Sequence, residues 1–404
     1  MTGDSLVEHG KKKIDWAMTH MPLLARLRRE FTEKKPLAGH RIGMSIHLEA
    51  KTACLALLLR EGGAQVAVTG SNPLSTQNDV ASALAAEGIT VHAKHGASDV
   101  EYSGDLRRVL ATEPDLILDD GGDLVKLLHS GVKLEIRGGG EETTTGVHRL
   151  RILEREGKLR FPMYAVNDAK MKYLFDNRYG TGQSVWDGIM RSTNLLIAGK
   201  NVLVAGYGWC GRGIAMRARG LGARVLVSEV DPIRAVEAVM DGFSVGAMEE
   251  MIEQADFLVT STGCSGVVTK RAIACAKDGL VMANAGHFDV EIDKRALAAL
   301  AVRQEDVRDG IRQFTLGDGR RLYLLGDGRL VNLVLGDGHP VEIMDISFAL
   351  QALTLQHIVK SAPLSPGVYG VPEKIDQQIA EMKLATLGVK IDFLTPDQSA
   401  YLGR

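Results

Sequence analysis

Gly206-Tyr-Gly208-Trp-Cys-Gly211 stands directly after the apolar run Val202–Ala205 and opens a stretch of helical periodicity. Glu229 ends the next apolar run, at the spacing of about 20 residues that follows such a glycine turn in dinucleotide-binding units. A glycine turn between a buried strand and a helix lets a pyrophosphate approach the helix N-terminus. Gly206, Gly208 and Gly211 supply that turn, and Glu229 supplies an acceptor for the adenosine ribose hydroxyls. An acid there repels a 2′-phosphate and favours NAD over NADP. A chain carrying this unit is committed to a parallel α/β sheet.

The remaining chain agrees. Short apolar runs alternate with helix-period segments in two series. The first reads as strands at Arg41–Ser45, Gln65–Thr69, Ile89–Ala93, Leu116–Asp119 and Tyr164–Val166, with helices at Lys51–Glu61 and Asn78–Glu87. The second reads as strands at Lys200–Ala205, Arg224–Ser228, Phe257–Thr260 and Leu280–Ala283, with Val331–Leu335 as a later one. A helix at Ser184–Ala198 joins the halves, and the repeated Leu-Gly-Asp-Gly of Leu316–Gly338 reads as hairpin-like turns. Helices at Ile343–Val359 and Glu373–Leu387 return the chain toward its first half. The expected fold is α/β: two Rossmann-like doubly wound parallel-sheet domains joined by hinge helices, with a short C-terminal extension. The expected divisions are 1–180 (substrate-binding and catalytic), 181–338 (NAD-binding), 339–372 (return segment) and 373–404 (C-terminal helix and tail).

With 404 residues the chain is long enough for two domains. Its 48 Lys and Arg against 50 Asp and Glu leave a net charge of −2, so no global field draws nucleic acid or an anionic membrane. Cys54, Cys210, Cys264 and Cys275 are scattered, with no Cys-x-x-Cys pair and no run of histidines to complete a zinc site, so reduced thiols and no metal are expected. The polar N-terminus and the lack of a long apolar run lead to the expectation of a cytoplasmic protein.

Several dense blocks carry a resemblance: Leu116-Ile-Leu-Asp-Asp-Gly-Gly-Asp123, Glu141-Glu-Thr-Thr-Thr-Gly-Val-His148, Val166-Asn-Asp168, Phe175-Asp-Asn177, Ala205-Gly-Tyr-Gly208, Gly286-His-Phe-Asp-Val-Glu-Ile-Asp293, Gly328-Arg-Leu-Val-Asn-Leu333 and Gly338-His-Pro340. Together they resemble the adenosylhomocysteinase (S-adenosyl-L-homocysteine hydrolase) family over essentially the whole chain. The resemblance implies a methyl-cycle hydrolase whose bound NAD⁺ oxidises the ribose 3′-hydroxyl, after which homocysteine is eliminated, water adds and the ketone is reduced again. It implies Asp120 as base at the 4′ carbon, Lys172 and Asp176 at the 3′-hydroxyl, His47 and His287 as proton carriers, and Asn167 beside them. The i, i+4 spacing of Lys172 and Asp176 puts both on one helical face, and Asp120 follows a strand end, where ligands bind in open sheets. Glu142 is implied at the 2′- and 3′-hydroxyls and His339 at the channel mouth. Thr143, Thr144, Thr145, Asn177, Asn284 and Asn332 are implied around the cofactor. The resemblance also implies a homotetramer.

Three departures stand out. Where the family's base-binding turn reads His-x-Thr-x-Glu or His-x-Thr-x-Gln, this chain has His47-Leu-Glu49-Ala-Lys51, followed by Thr52. A charged donor has replaced an acceptor, which suits the acceptor oxygen of hypoxanthine better than the amino group of adenine. The expected substrate is therefore S-inosyl-L-homocysteine, with S-adenosyl-L-homocysteine as the alternative and a net NAD-dependent dehydrogenase as a third reading. Secondly, the chain stops at Gly403-Arg404, short of the family's cofactor-contacting tail, which implies weaker NAD retention. Thirdly, Thr181 replaces a common Cys near the nicotinamide and Arg234 replaces a common Asn near the adenosine ribose. Hinges are expected near Tyr179–Ser184 and Asp337–Pro340.

Overall fold

The computed structural model describes residues 3–403. Apolar runs become buried strands where helices cover both sheet faces. The first half builds β1 (Arg41–Ser45), β2 (Gln65–Thr69), β3 (Thr90–Val91), β4 (Leu116–Asp119), β5 (Gly138–Glu141) and β6 (Pro162–Ala165). The second builds β7 (Asn201–Ala205), β8 (Arg224–Ser228), β9 (Ser244–Val245), β10 (Phe257–Thr260), β11 (Val281–Asn284), β12 (Ala301–Arg308), β13 (Ile311–Leu316) and β14 (Arg321–Leu325), and β15 (Gly367–Gly370) follows later. Two sheets result, ordered β15-β6-β5-β4-β1-β2-β3 and β12-β13-β14-β11-β10-β7-β8-β9.

The first sheet is parallel throughout. The second is parallel from β9 to β14 and closes with antiparallel β13 and β12. In each, strand order reverses beside the first strand, between β1 and β4 and between β7 and β10, which opens a crevice at the strands' carboxyl ends. The doubly wound α/β fold read from the sequence is the fold observed.

The helix Val341–Lys360 brings the chain back to the first sheet. Its Ile346, Phe348, Leu350 and Leu355 join the core formed by Leu23, Leu27, Phe31, Met44, Leu55 and Leu58. The buried Asp345 accepts from the amides of Leu23 and Leu24 at 3.1 and 2.9 Å, capping the helix Pro22–Lys34 across more than 300 residues of chain. β15 then pairs with β6 at the sheet edge.

The structure corrects several expected elements. Val331–Leu335 is not a strand: Val331–Val334 is a helical turn packed on the helix Thr181–Thr193. A short apolar run does not distinguish a buried strand from a buried helix, and the approach of Val331 O to Gly188, where a Cβ would lie 2.8 Å away, shows the close packing that decides it. Only Thr90–Val91 of the expected Ile89–Ala93 pairs with a neighbour. The joining helix starts at Thr181 and ends at Asn194, which caps it in the left-handed region. Of the Leu-Gly-Asp-Gly repeats, the first turns the β13–β14 hairpin and the second forms a 3₁₀ turn at Gly326–Gly328.

Candidate active site

The carboxyl ends of β1, β4, β5 and β6 carry His47, Asp120, Glu142 and Asn167 into the crevice of the first sheet. Parallel register places Asp119 opposite Glu141 at the tips of β4 and β5, so the residues that follow each emerge side by side.

Asp120 stands between two imidazoles. Its Oδ2 lies 3.5 Å from His47 Nε2 and its Oδ1 3.8 Å from His287 Nδ1. Ser75 gives its hydroxyl proton to Asn72 O at 2.9 Å, so it accepts from His47 Nδ1 at 2.7 Å. That fixes the tautomer and turns the Nε2 lone pair toward Asp120. Burial pushes His47 down to about 4 and also lowers His287, the Asp120 charge opposing both shifts. Both imidazoles are therefore neutral at pH 7. His287 reaches the β4 loop because residue 121 is glycine: at φ +110, a Cβ there would lie 2.3 Å from His287 Nε2. The fold thus groups two histidines that are far apart along the chain. The ligating atoms of His47, Asp120 and His287 lie within 4.8 Å of one another, a looser group than the roughly 3.4 Å edge of a tetrahedral zinc site with bonds of about 2.1 Å.

A second cluster surrounds Lys172. Its Nζ donates to Asn177 Oδ1 at 2.8 Å and lies 3.4 Å from Glu142 Oε1 and 3.5 Å from Asp176 Oδ1. Asn167 Oδ1 lies 3.5 Å from Lys172 Nζ and accepts from Asn177 Nδ2 at 3.0 Å. The segment Tyr173–Gly180 winds as a π-helix. That wider turn brings i+5 Asn177, as well as i+4 Asp176, beneath Lys172, a placement an ordinary helical wheel misses.

Burial disfavours charge throughout the cluster, but Asp176 and Glu142 outweigh it at Lys172 and hold the ammonium protonated. Burial also opposes the charge of Asp176, yet Lys172, His339 and Ser347 keep it well below the usual carboxylate range. Glu142 differs: burial raises it to about 8 despite Lys172. His339 Nδ1 lies 2.8 Å from Asp176 Oδ1, and its Nε2 lies 3.1 Å from Thr181 Oγ1.

Glu49 and Lys51 are both buried and pair at 2.8 Å. The Glu49 carboxylate also accepts from the amides of Lys51 and Thr52, capping the helix Ala50–Glu61. Lys51 Nζ donates to Asp337 O at 2.8 Å, tying this turn to the segment that leaves the second sheet. Thr52, expected at the substrate, gives its hydroxyl proton to His47 O at 2.6 Å.

In the second half the glycine turn has the geometry of a phosphate cradle. Gly206 adopts φ +93, a Cβ on Gly211 would lie 1.9 Å from Gly206 O, and one on Gly208 would meet only Arg234 Nη1 at 3.7 Å. The helix Trp209–Gly220 begins at Gly208 with no side-chain cap, leaving its first amides for an anion. The Glu229 carboxylate accepts from Tyr207 N at 2.6 Å and from the amides of Val230 and Asp231, which sets it beside the turn. Asn332 donates to Ser184 Oγ at 3.1 Å, while its buried Oδ1 lacks a partner among the described residues, as an acceptor awaiting a carboxamide would. These residues fit NAD.

Other residues expected at the cofactor also have contacts within the protein. Asn284 is saturated within the protein: Nδ2 donates to Gly286 O, Phe288 O and Gly328 O, and Oδ1 accepts from Thr260 Oγ1 and Gly286 N. It holds the loop that carries His287. Thr143 donates to Glu141 and caps the helix Thr144–Arg155; Thr144 is exposed and Thr145 half-buried.

The sequence reading missed several working residues. Glu141 Oε1 accepts from Gly121 N, Thr143 N and Thr143 Oγ1 at 2.8–2.9 Å, clasping the Asp120 loop to the threonine turn. Glu291 does the same in the second half, binding Thr262 and Gly263. Ser347 and Gln351 reach Asp176 and Glu142 from the returning helix. Two polar residues four apart in an apolar helix were the available signal.

Residues 3–137 match the family model described as S-adenosyl-L-homocysteine hydrolase, and residues 177–338 match the model for that family's NAD binding domain. The chain is 56% identical over 397 residues to a Thermotoga maritima protein named adenosylhomocysteinase, covering 97% of this chain and 98% of that one. It is 57% identical over 402 residues to the adenosylhomocysteinase of Pyrococcus abyssi, covering 98% and 95%. It is 52% identical over 403 residues to a Methanopyrus kandleri protein named S-inosyl-L-homocysteine hydrolase, again covering 98% and 95%.

Proposed function

The chain belongs to the S-adenosyl-L-homocysteine hydrolase family, and on that premise we propose that its preferred substrate is S-inosyl-L-homocysteine, which it cleaves to inosine and L-homocysteine. The enzyme is an NAD-dependent hydrolase of S-nucleosyl-L-homocysteine. NAD⁺, when bound, supplies reversible hydride acceptance at the 3′ carbon of the nucleoside ribose. Gly206, Gly208, Gly211 and Glu229 would hold its adenosine diphosphate half and Asn332 its carboxamide, with Thr143, Thr144 and Thr145 serving the nicotinamide end.

Glu142 and Lys172 grip the ribose hydroxyls, and the Lys172 ammonium lowers the pKa of the 3′-hydroxyl. Asp176, Asn167 and Asn177 keep that ammonium charged and aimed. Asp120 removes the 4′ proton once the 3′ position is a ketone. His47 accepts that proton at Nε2, and His287, on the other side of Asp120, handles the proton of the leaving sulfur and of the incoming water. His339 and the Lys51–Asp337 bond span the two halves and exclude water while the ketone persists.

The observation that carries the choice of base is the state of Lys51. It is a buried, donor-only group with two partners, Glu49 and Asp337 O, and an ammonium has three N–H bonds. The remaining donor matches the 6-oxo group of hypoxanthine and opposes the 6-amino group of adenine. The same two bonds also support a second reading, in which Lys51 is a structural clasp turned from the base and the substrate is S-adenosyl-L-homocysteine. Homocysteine thiol release by the NAD⁺-loaded enzyme, with the two thioethers compared side by side, decides between them. At least tenfold higher kcat/KM for the inosine compound is expected; preference for the adenosine compound overturns the proposal.

A further inference from the structure

The helix Val341–Lys360 buries Ile346, Phe348, Ala349, Leu350 and Ala352 in the core, together with the polar Asp345, Ser347, Gln351 and Thr354. Ser347 and Gln351 stand at i, i+4, so they share one face. Ser347 Oγ donates to Asp176 Oδ2 at 2.6 Å, and Gln351 Nε2 donates to Glu142 Oε2. These are the two carboxylates that flank Lys172.

Gln351 is fully buried, and its Oε1 has no hydrogen-bond partner among the described residues. A buried amide oxygen is rarely left unpaired. This one is the second half of a side chain whose first half already holds Glu142.

We propose that Gln351 is a positioning residue whose amide serves Glu142 in both of its protonation states. When Glu142 is ionised, Nε2–H donates to the carboxylate. When Glu142 holds a proton, the amide turns over and Oε1 accepts from the carboxylic O–H. Glu142 thereby takes the 3′-hydroxyl proton as the hydride leaves the 3′ carbon, and returns it when the hydride comes back, without losing a hydrogen bond at either stage. Proton and hydride leave the same H–C–O–H unit, which becomes the ketone, and both are restored at the end of the cycle. Lys172 cannot take this proton, because an ammonium has no acceptor.

The charged groups facing Glu142 are Lys172, Asp176 and Asp120, with His339 behind Asp176. Among them Glu142 is the carboxyl that burial holds near neutral pH, where proton uptake and release are both accessible. The inference rests on the reading that puts Glu142 at the ribose hydroxyls; the identity of the base does not enter it.

The test is the pH dependence of kcat for the Gln351→Met and Gln351→Glu holoenzymes, alongside infrared titration of the Glu142 carboxylic C=O band, identified by its loss in Glu142→Gln. Gln351→Met removes both hydrogen bonds at nearly constant volume. It is expected to lower kcat at least tenfold with KM within about threefold, and to move both the kcat limb and the infrared midpoint up by about one pH unit, because the bond lost to the ionised carboxylate is the stronger of the two. Gln351→Glu can donate and accept only while it shares a proton with Glu142, so it is expected to recover activity on the acid side and lose it on the alkaline side. A fall in kcat that is uniform across pH, with the infrared midpoint unmoved, would make Gln351 a packing residue and overturn the inference. Turnover by Glu142→Gln within a few-fold of the parent enzyme would instead remove Glu142 from the ribose site, overturning the reading beneath it.

Discussion

The two crevices are built alike and charged differently. In each, a buried glutamate at or beyond the end of one strand clasps the loop beyond its neighbour: Glu141 binds the Asp120 loop, and Glu291 binds Thr262 and Gly263. Each glutamate is accommodated by a glycine. A Cβ on Gly146 would fall 2.0 Å from the Glu141 carboxyl carbon, and one on Gly286 would fall 1.8 Å from Glu291 Oε1.

The difference lies in what surrounds them. Glu141 has Asp119 beside it in register and Asp120 nearby, and its neighbour Glu142 is surrounded by Lys172, Asp176 and Asp120. Burial with crowding raises Asp119 to about 7 and Glu141 well above its usual range. Glu291, also raised by burial, faces backbone amides and hydroxyls. Buried acids crowded around a lysine suit proton traffic, whereas an acid ordering backbone donors suits the binding of a ligand that does not titrate.

Breaking the crowded site should have the largest effect. Lys172→Ala is expected to reduce thiol release by about 10³-fold or more while circular dichroism stays native. It should also lower the melting temperature, since Asp176 and Glu142 lose their counter-charge. Unchanged activity would remove Lys172 from the reaction.

The paired glutamates sharpen the comparison at the next level. Glu141→Ala is expected to lower kcat by roughly 10–100-fold through the Asp120 loop, with NAD affinity within about threefold. Glu291→Ala is expected to weaken NAD binding about tenfold, by the loss of one ordered loop, with kcat at saturating NAD nearly preserved. Fluorescence titration with NAD and saturation kinetics measure both; the opposite assignment of effects would erase the distinction drawn between the crevices.

The smallest effect is on stability. Asp119 and Glu142 have folded values of about 7 and 8, above those of the unfolded chain, so they hold protons that the unfolded chain has already released. Their ionisation penalises the folded state progressively as pH rises toward those values. His47, lowered to about 4, acts oppositely, but its contribution is complete once pH exceeds its ordinary value near 6.5. Between pH 6.5 and 8 the carboxyls act unopposed by it, and the melting temperature of the NAD-free protein should fall by roughly 2–5 °C. Asp119→Asn should flatten that slope; a melting temperature in the parent protein that does not fall over this range would show that the crowded acids ionise freely.

Much of this was legible in the chain. β1, β2, β4, β8 and β10 occupy the expected residues because apolar runs of four or five bounded by turn residues have few alternatives in an α/β chain. The glycine turn and Glu229 were readable because their chemistry is local. β5 was not: Gly138-Gly139-Gly140-Glu141 has no strand propensity. It is a strand because β4 and β6 approach so closely that a Cβ on Gly139 would lie 2.5 Å from Ile117 Cγ1 and 2.8 Å from Met163 Sδ.

By itself, then, the amino-acid sequence determined the two doubly wound sheets, the dinucleotide turn and many of the residues that meet in the crevice, since each is written in periodicity or in a contiguous block. Only the tertiary structure decided how those residues act on one another. Whether Lys172 leans on Asn177 follows from a π-turn, the hold of Asn284 on the His287 loop follows from five hydrogen bonds, and Gln351 meets Glu142 only because a helix some 200 residues later returns to the first sheet. Protonation and hydrogen bonding depend on burial and on neighbours distant in the chain, and those distances exist only once the chain has folded.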